Sequence, residues 1–345
     1  MERLVKEPGP SGFEDRVINV VKSLIDGFVD DVKVDRLGNL VARIGNGGFK
    51  ILISAHVDEV GLMVTHIDQR GFARVTPIGG VSPQSIVGSP IVFLTERGEL
   101  MGVVGVDPPH LRNVRQIGGF EDLYIDLGFS TREEAIKAGL SVGTPGVFQP
   151  LFLTNGQSII GKALDNRVGC AVLVELARSI KREFPDLLKN YTLYLAWNTQ
   201  EEVGLRGINA VVNETNPHLA IVVETTLALD TPANSEDRWI TSIGGGVAVR
   251  AMDRSMITNP RVLSRVLKIL DSGNVKYQVQ VNPYGGTDAG VIHTYGLGVY
   301  TVVLSTPARY IHTPHSVASL RDVEEVEKAL RAILSNLDAF KGMVD

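Results

Sequence analysis

The sequence predicts an α/β protein: a mixed sheet flanked by helices, with a small β-barrel or sandwich domain inserted into it. Three observations lead there. Toward both ends of the chain, apolar runs of strand length alternate with amphipathic helical patterns, an order that covers a sheet on both faces. From about Gly61 to Gln149 this order lapses, and short β-branched segments are separated by glycine and proline at close intervals. The length of 345 residues leaves room for two domains, at about 100–200 residues each. The predicted division is a discontinuous domain, 1–60 and 153–345, interrupted by an inserted β-rich domain, 61–152.

The elements follow in order. Residues 12–28 carry Phe13, Val17, Val20, Val21, Leu24 and Ile25 at spacings that make one broad helical face. "DVKVDRLGNLVARIG" holds two short strands about a Gly38-Asn39 turn. "KILISAHVDEVG" suits a buried central strand, and alternation along it sets His56 and Asp58 on the same side. In the insert, "FARVTPI", "SPIVFLT" and "LMGVVGV" are strands and "TREEAIKAGL" is the one helical pattern. After Leu153 the α/β order resumes. "DNRVGCAVLVELARSIKREF" is a helix with Val168, Ala171, Val172, Leu176 and Ile180 inward. "YTLYLAWNT" and "LAIVVE" are buried strands, and "NPRVLSRVLKILDSG" is a helix with proline near its start. "KYQVQV" and "VYTVVLS" complete the sheet, and an amphipathic helix from "SLRDVEEVEKAL" closes the chain. "IGGGVAV" lacks the spacing of a nucleotide-binding loop and precedes no helix.

Composition narrows the function. An apolar fraction of 44% with 21% charged residues fits a globular protein with a large core, and a net charge of −5 without a basic block argues against nucleic acid or a membrane surface. The one cysteine, Cys170, lies in an apolar helical pattern, so it reads as a buried structural thiol and excludes a cysteine-cluster metal site. The start "MERLVKEPGPSGFEDRV" has no apolar signal segment, and the longest uncharged runs are broken by glycine and proline. A cytoplasmic protein is the expectation.

Open α/β sheets gather ligands beyond the carboxyl ends of their strands. At or just after such ends stand His56 and Asp58, Glu201 and Glu202, and Glu224. Asp165 begins a helix in "GKALDNR", and His312 lies in "ARYIHTPHS", between the last strand and the last helix. Singly, each has an ordinary structural alternative: a satisfied core histidine for His56, a helix cap for Asp165, solvated turn carboxylates for the glutamates, a loop residue for His312. His66, His110, His218, His293 and His315 read as surface, core or loop residues.

Together they point elsewhere. Two histidines and three carboxylates suit two divalent cations of borderline hardness, one carboxylate shared between them. Such pairs lie about 3.5–4 Å apart and activate a water. Asp58 then fixes the His56 ring. Adjacent side chains diverge, so Glu202 can face a metal while Glu201 reaches the water as general base.

In order along the chain, "SAHVDEVG", "GKALDNRVG", "NTQEEVGLRG", "VVETTLALDTP", "GGTDAG" and "RYIHTPHS" resemble the tetrahedral (TET-type) aminopeptidases, a family that includes glutamyl and deblocking aminopeptidases and members once labelled endoglucanases. The resemblance spans essentially the whole chain. It implies a zinc-peptidase-like catalytic domain and a metal-dependent aminopeptidase acting on short peptides. One metal falls to His56, Asp165 and Glu224, the other to Asp165, Glu202 and His312, with Glu201 as general base and Asp58 as supporting acid. It further implies zinc or cobalt, with manganese a further candidate, an inserted domain used in dimer contacts, and a homododecameric shell. Glu224 stands where many members carry aspartate, a longer arm that bears on metal geometry. Runner-up expectations are a related dinuclear carboxypeptidase or deacylase, a glycosidase using Glu201 and Glu202, and an inactive binding or assembly protein. The glycosidase suits adjacent residues poorly, since its carboxyls stand about 5–9.5 Å apart.

Overall fold

The computed structural model describes residues 1–108, 110 and 116–343. Its larger sheet has eleven strands. The central four, Tyr191–Asn198, Phe49–His56, Leu219–Leu227 and Tyr300–Arg309, lie side by side in that order and run parallel. Their carboxyl ends therefore share one edge, which is what gathers the site. Leu40–Ile44 and Asp31–Val34 extend the sheet antiparallel on one side. On the other side follow Ser316–Ser319 and the hairpin Phe152–Asn155 with Ser158–Gly161. Val247–Asp253 pairs antiparallel with the Tyr300–Arg309 strand and carries Tyr277–Asn282 parallel beside it.

Strand alternation divides the core into two layers. Ile51, Ile53 and Ala55 join Leu193, Leu195, Ile221 and Val223 beneath the helices Asp15–Ile25, Leu164–Glu183, Pro260–Ser272 and Leu320–Leu334. Leu52, Ala196, Ala220 and Val222 face the opposite way, against Ile208, Val211 and Val212 of the helix Arg206–Thr215 and Ile292 of Ala289–Ile292. The helix Leu164–Glu183 is buried almost all round, as expected where a helix packs on a sheet and is itself covered by others. Each fully buried aliphatic side chain in these layers contributes roughly 1.5–3 kcal/mol.

Residues 61–148 contain a closed antiparallel barrel of six strands: Gly61–Ile67, Ala73–Ile78, Ile125–Asp126, Gly98–Val104, Pro90–Thr95 and Pro145–Phe148. It has its own apolar centre, including Leu62, Ile91, Phe93, Ile125 and Phe148. Closure leaves no long unpaired edge. Among the described residues no helix is long and apolar enough to cross a membrane.

Several expectations need correction. The first long helix begins at Asp15 rather than residue 12, and Phe13 is exposed. The positive φ of Gly12 (+88°) ends any helical run before it. Glu224 lies within its strand, which continues to Leu227, rather than at the strand's end. Asp165 caps nothing. It and Asn166 have non-helical backbone angles, and the regular helix starts after them. The link holding His312 ends in the strand Ser316–Ser319, and the closing helix stops at Leu334 before a separate short helix, Asp338–Lys341. The rejected "IGGGVAV" stretch leads into the strand Val247–Asp253; its Gly244 and Gly246 amides donate to Asp322.

Candidate metal centre and active site

The parallel strands deliver the candidate residues from separate directions. His56 ends one strand, Glu224 lies near the end of its neighbour, and Glu201 and Glu202 follow Asn198 in the turn after a third. Asp165 enters from the start of the buried helix, and His312 (φ +61°) from the turn after Arg309. The structure brings all seven predicted site residues into one cluster. All but Asp58 line a cavity of about 380 Å³, whose wall also includes Arg250, Asn282, Tyr284 and Thr287.

Asp165 is the centre of the arrangement. One oxygen, Oδ1, lies 3.2 Å from His56 Nε2, and the other, Oδ2, 3.5 Å from His312 Nε2. On one side His56 Nε2 also meets Glu224 Oε1 at 3.2 Å; on the other His312 Nε2 meets Glu202 Oε2 at 3.1 Å. Two groups of donor atoms result, His56–Asp165–Glu224 and Asp165–Glu202–His312, each with its atoms within 4.8 Å of one another. A third such group is His56 with Glu201 and Glu202, so Glu201 adjoins the cluster and belongs to neither Asp165-centred set.

The surrounding contacts fix orientation. Asp58 accepts the Glu201 and Glu202 amides at 3.0 and 3.1 Å, and its Oδ1 is 3.4 Å from His56 Nδ1. His56 Nδ1 forms no hydrogen bond at that geometry. For His312 the orienting group is the Gly80 carbonyl, 3.0 Å from Nδ1 and contributed by the segment after the barrel strand Ala73–Ile78. Asn166 donates to the Val223 carbonyl at 2.8 Å, tying the Asp165 segment to the Glu224 strand.

Electrostatics favour positive charge at this cluster. Burial opposes ionisation throughout, yet Glu224 and Glu201 raise the His56 pKa well above the imidazole range. His312 is likewise opposed by burial but raised to about 11 by Glu202 and Asp165. Burial raises Glu201 well above its usual value and also raises Glu202 and Glu224. Asp165 is held low despite burial, by His312 and His56. Glu224 Oε2 is buried without a hydrogen-bond partner. Buried carboxylates persist when paired or when they coordinate metal. The donor set, imidazole nitrogen and carboxylate oxygen, fits zinc-like divalent cations.

Sequence reasoning missed several residues here. Asp288, in the "GGTDAG" stretch, is fully buried, and burial with the nearby Glu224 and Asp58 charges pushes its pKa up to about 8; Asn198 donates to it. Its place in a recognised motif was a usable signal. Ser11 donates to Asp58, and Glu14 accepts from Gln200. A buried triad of Glu59, Lys162 and Arg167 lies behind the site, with Lys162 Nζ at 2.6 Å and Arg167 Nη2 at 3.2 Å from Glu59 Oε1. Glu59 lies 103 residues before Lys162, and no local pattern relates it to Lys162 and Arg167.

Comparison with known proteins places the chain in a family. Residues 38–329 match the family described as M42 glutamyl aminopeptidase. The chain is 35% identical over 344 residues to the lysyl aminopeptidase of Pyrococcus furiosus, covering 98% of this chain and 96% of that protein. It is similar in structure to the TET aminopeptidase from a marine sediment Thaumarchaeota archaeon, with a TM-score of 0.93 and 33% identity over 99% of this chain and 97% of that one. It is also similar to the Pyrococcus horikoshii TET1 peptidase, which can assemble into a tetrahedron or a large octahedral shell (TM-score 0.87, 30% identity, 96% and 97% of the two chains). The chain belongs to the M42 glutamyl aminopeptidase family.

Proposed function

We propose that the protein is a dinuclear metal-dependent aminopeptidase that removes N-terminal residues from short peptides. The observation that carries this reading is the two donor groups sharing Asp165, with Glu201 beside them and outside both. His56, Asp165 and Glu224 would hold one divalent ion, and Asp165, Glu202 and His312 the other; zinc or cobalt suits the donors, with manganese a further candidate. When bound, such a pair polarises the scissile carbonyl and lowers the pKa of the attacking water. Glu201 takes the proton from that water and passes it to the leaving amide nitrogen. Burial raises the Glu201 carboxyl above its ordinary range, and a carboxyl beside both donor sets but in neither suits this exchange. Asp58 holds the Glu201 and Glu202 amides and stands 3.4 Å from His56 Nδ1, so base and ligands share one support.

The same reading makes 1–60 and 153–345 the catalytic domain and 61–152 an inserted dimerisation domain. It also assigns a homododecamer and a cytoplasmic location. Similarity to a TET peptidase that forms a tetrahedron supports the assembly, and size-exclusion chromatography with light scattering tests it. For the activity, metal-stripped protein is reconstituted with zinc, cobalt or manganese and assayed on aminoacyl-p-nitroanilides. The expected result is metal-dependent cleavage abolished by blocking the substrate amine. Equal cleavage of blocked reporters, or none with any metal, would overturn the proposal.

A further inference from the structure

The segment Gly9–Glu14 meets no reacting atom, yet one of its side chains ends on the turn that carries both glutamates and another on Asp58, which holds that turn. Ser11, 6% exposed, donates from Oγ to Asp58 Oδ2 at 2.6 Å. That carboxylate is the one accepting the Glu201 and Glu202 amides. Glu14, 5% exposed, accepts the Gln200 amide at 3.1 Å and the Gly12 amide at 2.8 Å through one oxygen, Oε1. Gln200 has φ +56°, in the left-handed region that L side chains seldom adopt. A residue in that conformation redirects the chain just before Glu201, and the hydrogen bond from its amide to the buried Glu14 carboxyl holds it there.

The segment is itself anchored. Ser11 N donates to the Glu59 carbonyl at 3.2 Å, and Glu59 N to the Gly9 carbonyl at 3.1 Å. Gly9 N donates to Glu59 Oε1 at 3.0 Å, and that carboxylate is fixed by Lys162 and Arg167, all three side chains buried. A rigid support thus lies behind both Ser11 and Glu14.

We propose that Ser11 and Glu14 are positioning residues for hydrolysis: they hold the Gln200–Glu202 turn so that Glu201 stays directed at the water. The inference rests on Glu201 being the general base. A purely structural role would lower stability and leave turnover of the folded protein intact.

The test uses full-length, zinc-loaded protein carrying Ser11→Ala, Ser11→Thr or Glu14→Ala, each alone and combined with Glu201→Gln. Zinc content, melting temperature, kcat and KM are measured for all. Ser11→Ala and Glu14→Ala should lower kcat about 10–100-fold, the scale for groups that orient metal-site side chains, with zinc content unchanged and KM within about threefold. Ser11→Thr, which keeps the hydroxyl, should restore kcat to within about threefold of the parent. On the Glu201→Gln background the same substitutions should cost less than about threefold, since the group they position is gone. Unchanged kcat in folded Ser11→Ala and Glu14→Ala, or an undiminished loss on the Glu201→Gln background, would overturn the proposal. Should Ser11→Ala fail to fold, Glu14→Ala decides by the same criteria. A parent enzyme that binds no zinc and cleaves no free-amine reporter would defeat the proposed function itself; an active parent with indifferent variants would defeat this inference alone.

Discussion

Replacing Glu59 by glutamine tests how the scaffold behind the site is held. Glu59, Lys162 and Arg167 have side chains 2%, 0% and 0% exposed, so one buried carboxylate serves two buried cations. Arg167 places its other donors on the carbonyls of Val57, Leu4 and Glu7. These satisfy hydrogen bonds without neutralising charge. Glutamine keeps the shape and can still accept the Gly9 amide, but it leaves both cations unpaired. Removing one partner of a buried ion pair costs about 3–5 kcal/mol. Lys162→Met is the contrasting change. It leaves Glu59 and Arg167 one to one, and burial already lowers the Lys162 pKa to about 8; a smaller cost than that of Glu59→Gln is expected, since no buried cation loses its counter-charge. Urea unfolding in excess zinc, followed by circular dichroism, measures the difference. With an m-value of about 3 kcal/mol/M, Glu59→Gln should lower the midpoint by roughly 1–1.7 M. A Glu59→Gln midpoint indistinguishable from the parent, or equal damage from Lys162→Met, would refute the reasoning.

Other expectations follow from the same structure. Glu201→Gln should retain both metals by elemental analysis and lose about 10²–10⁴-fold in kcat; near-normal turnover would count against its role. Zinc uptake by metal-free protein at pH 7 should release about two protons or more per subunit, because ligation needs neutral imidazoles and both His56 and His312 are held protonated. Apparent affinity should therefore rise with pH, and calorimetry in buffers of different ionisation enthalpy reads the release. Burial raises Cys170 to about 12, so the folded protein should resist thiol-exchange reagents at pH 8 and expose one reactive thiol only on unfolding. Gly207→Ala would place a Cβ 2.3 Å from the Thr199 carbonyl oxygen, and overpacking of this kind costs about 1–3 kcal/mol; an unchanged melting temperature would contradict the contact.

Much of this was legible because strand patterns are local. Alternation in "KILISAHVDE" set His56 and Asp58 on one side, and parallel pairing put the ends of four strands on one edge. The lapse of helical periodicity after Gly61 marked the barrel, although its closure through the Gly61–Ile67 and Pro145–Phe148 pairing joins segments about 80 residues apart and left no local trace. Glu224 was misplaced because a strand end read from apolarity stops at the first charge, whereas this charge points into the site and the strand runs on. The same rule hid Ser316–Ser319, too short to show a period. Ser11, Glu14 and the Gly80 carbonyl were invisible for a different reason: each acts through one hydrogen bond to a residue distant in sequence, and nothing in its own neighbourhood registers the partner.

Zinc titration of a crystal, read by anomalous scattering, addresses the central claim most directly. Two peaks per subunit are expected, one within coordination distance of His56 and Glu224, the other of Glu202 and His312, with Asp165 reaching both and Glu201 reaching neither. A single peak, a peak ligated by Glu201, or no density between these side chains in excess zinc would contradict it.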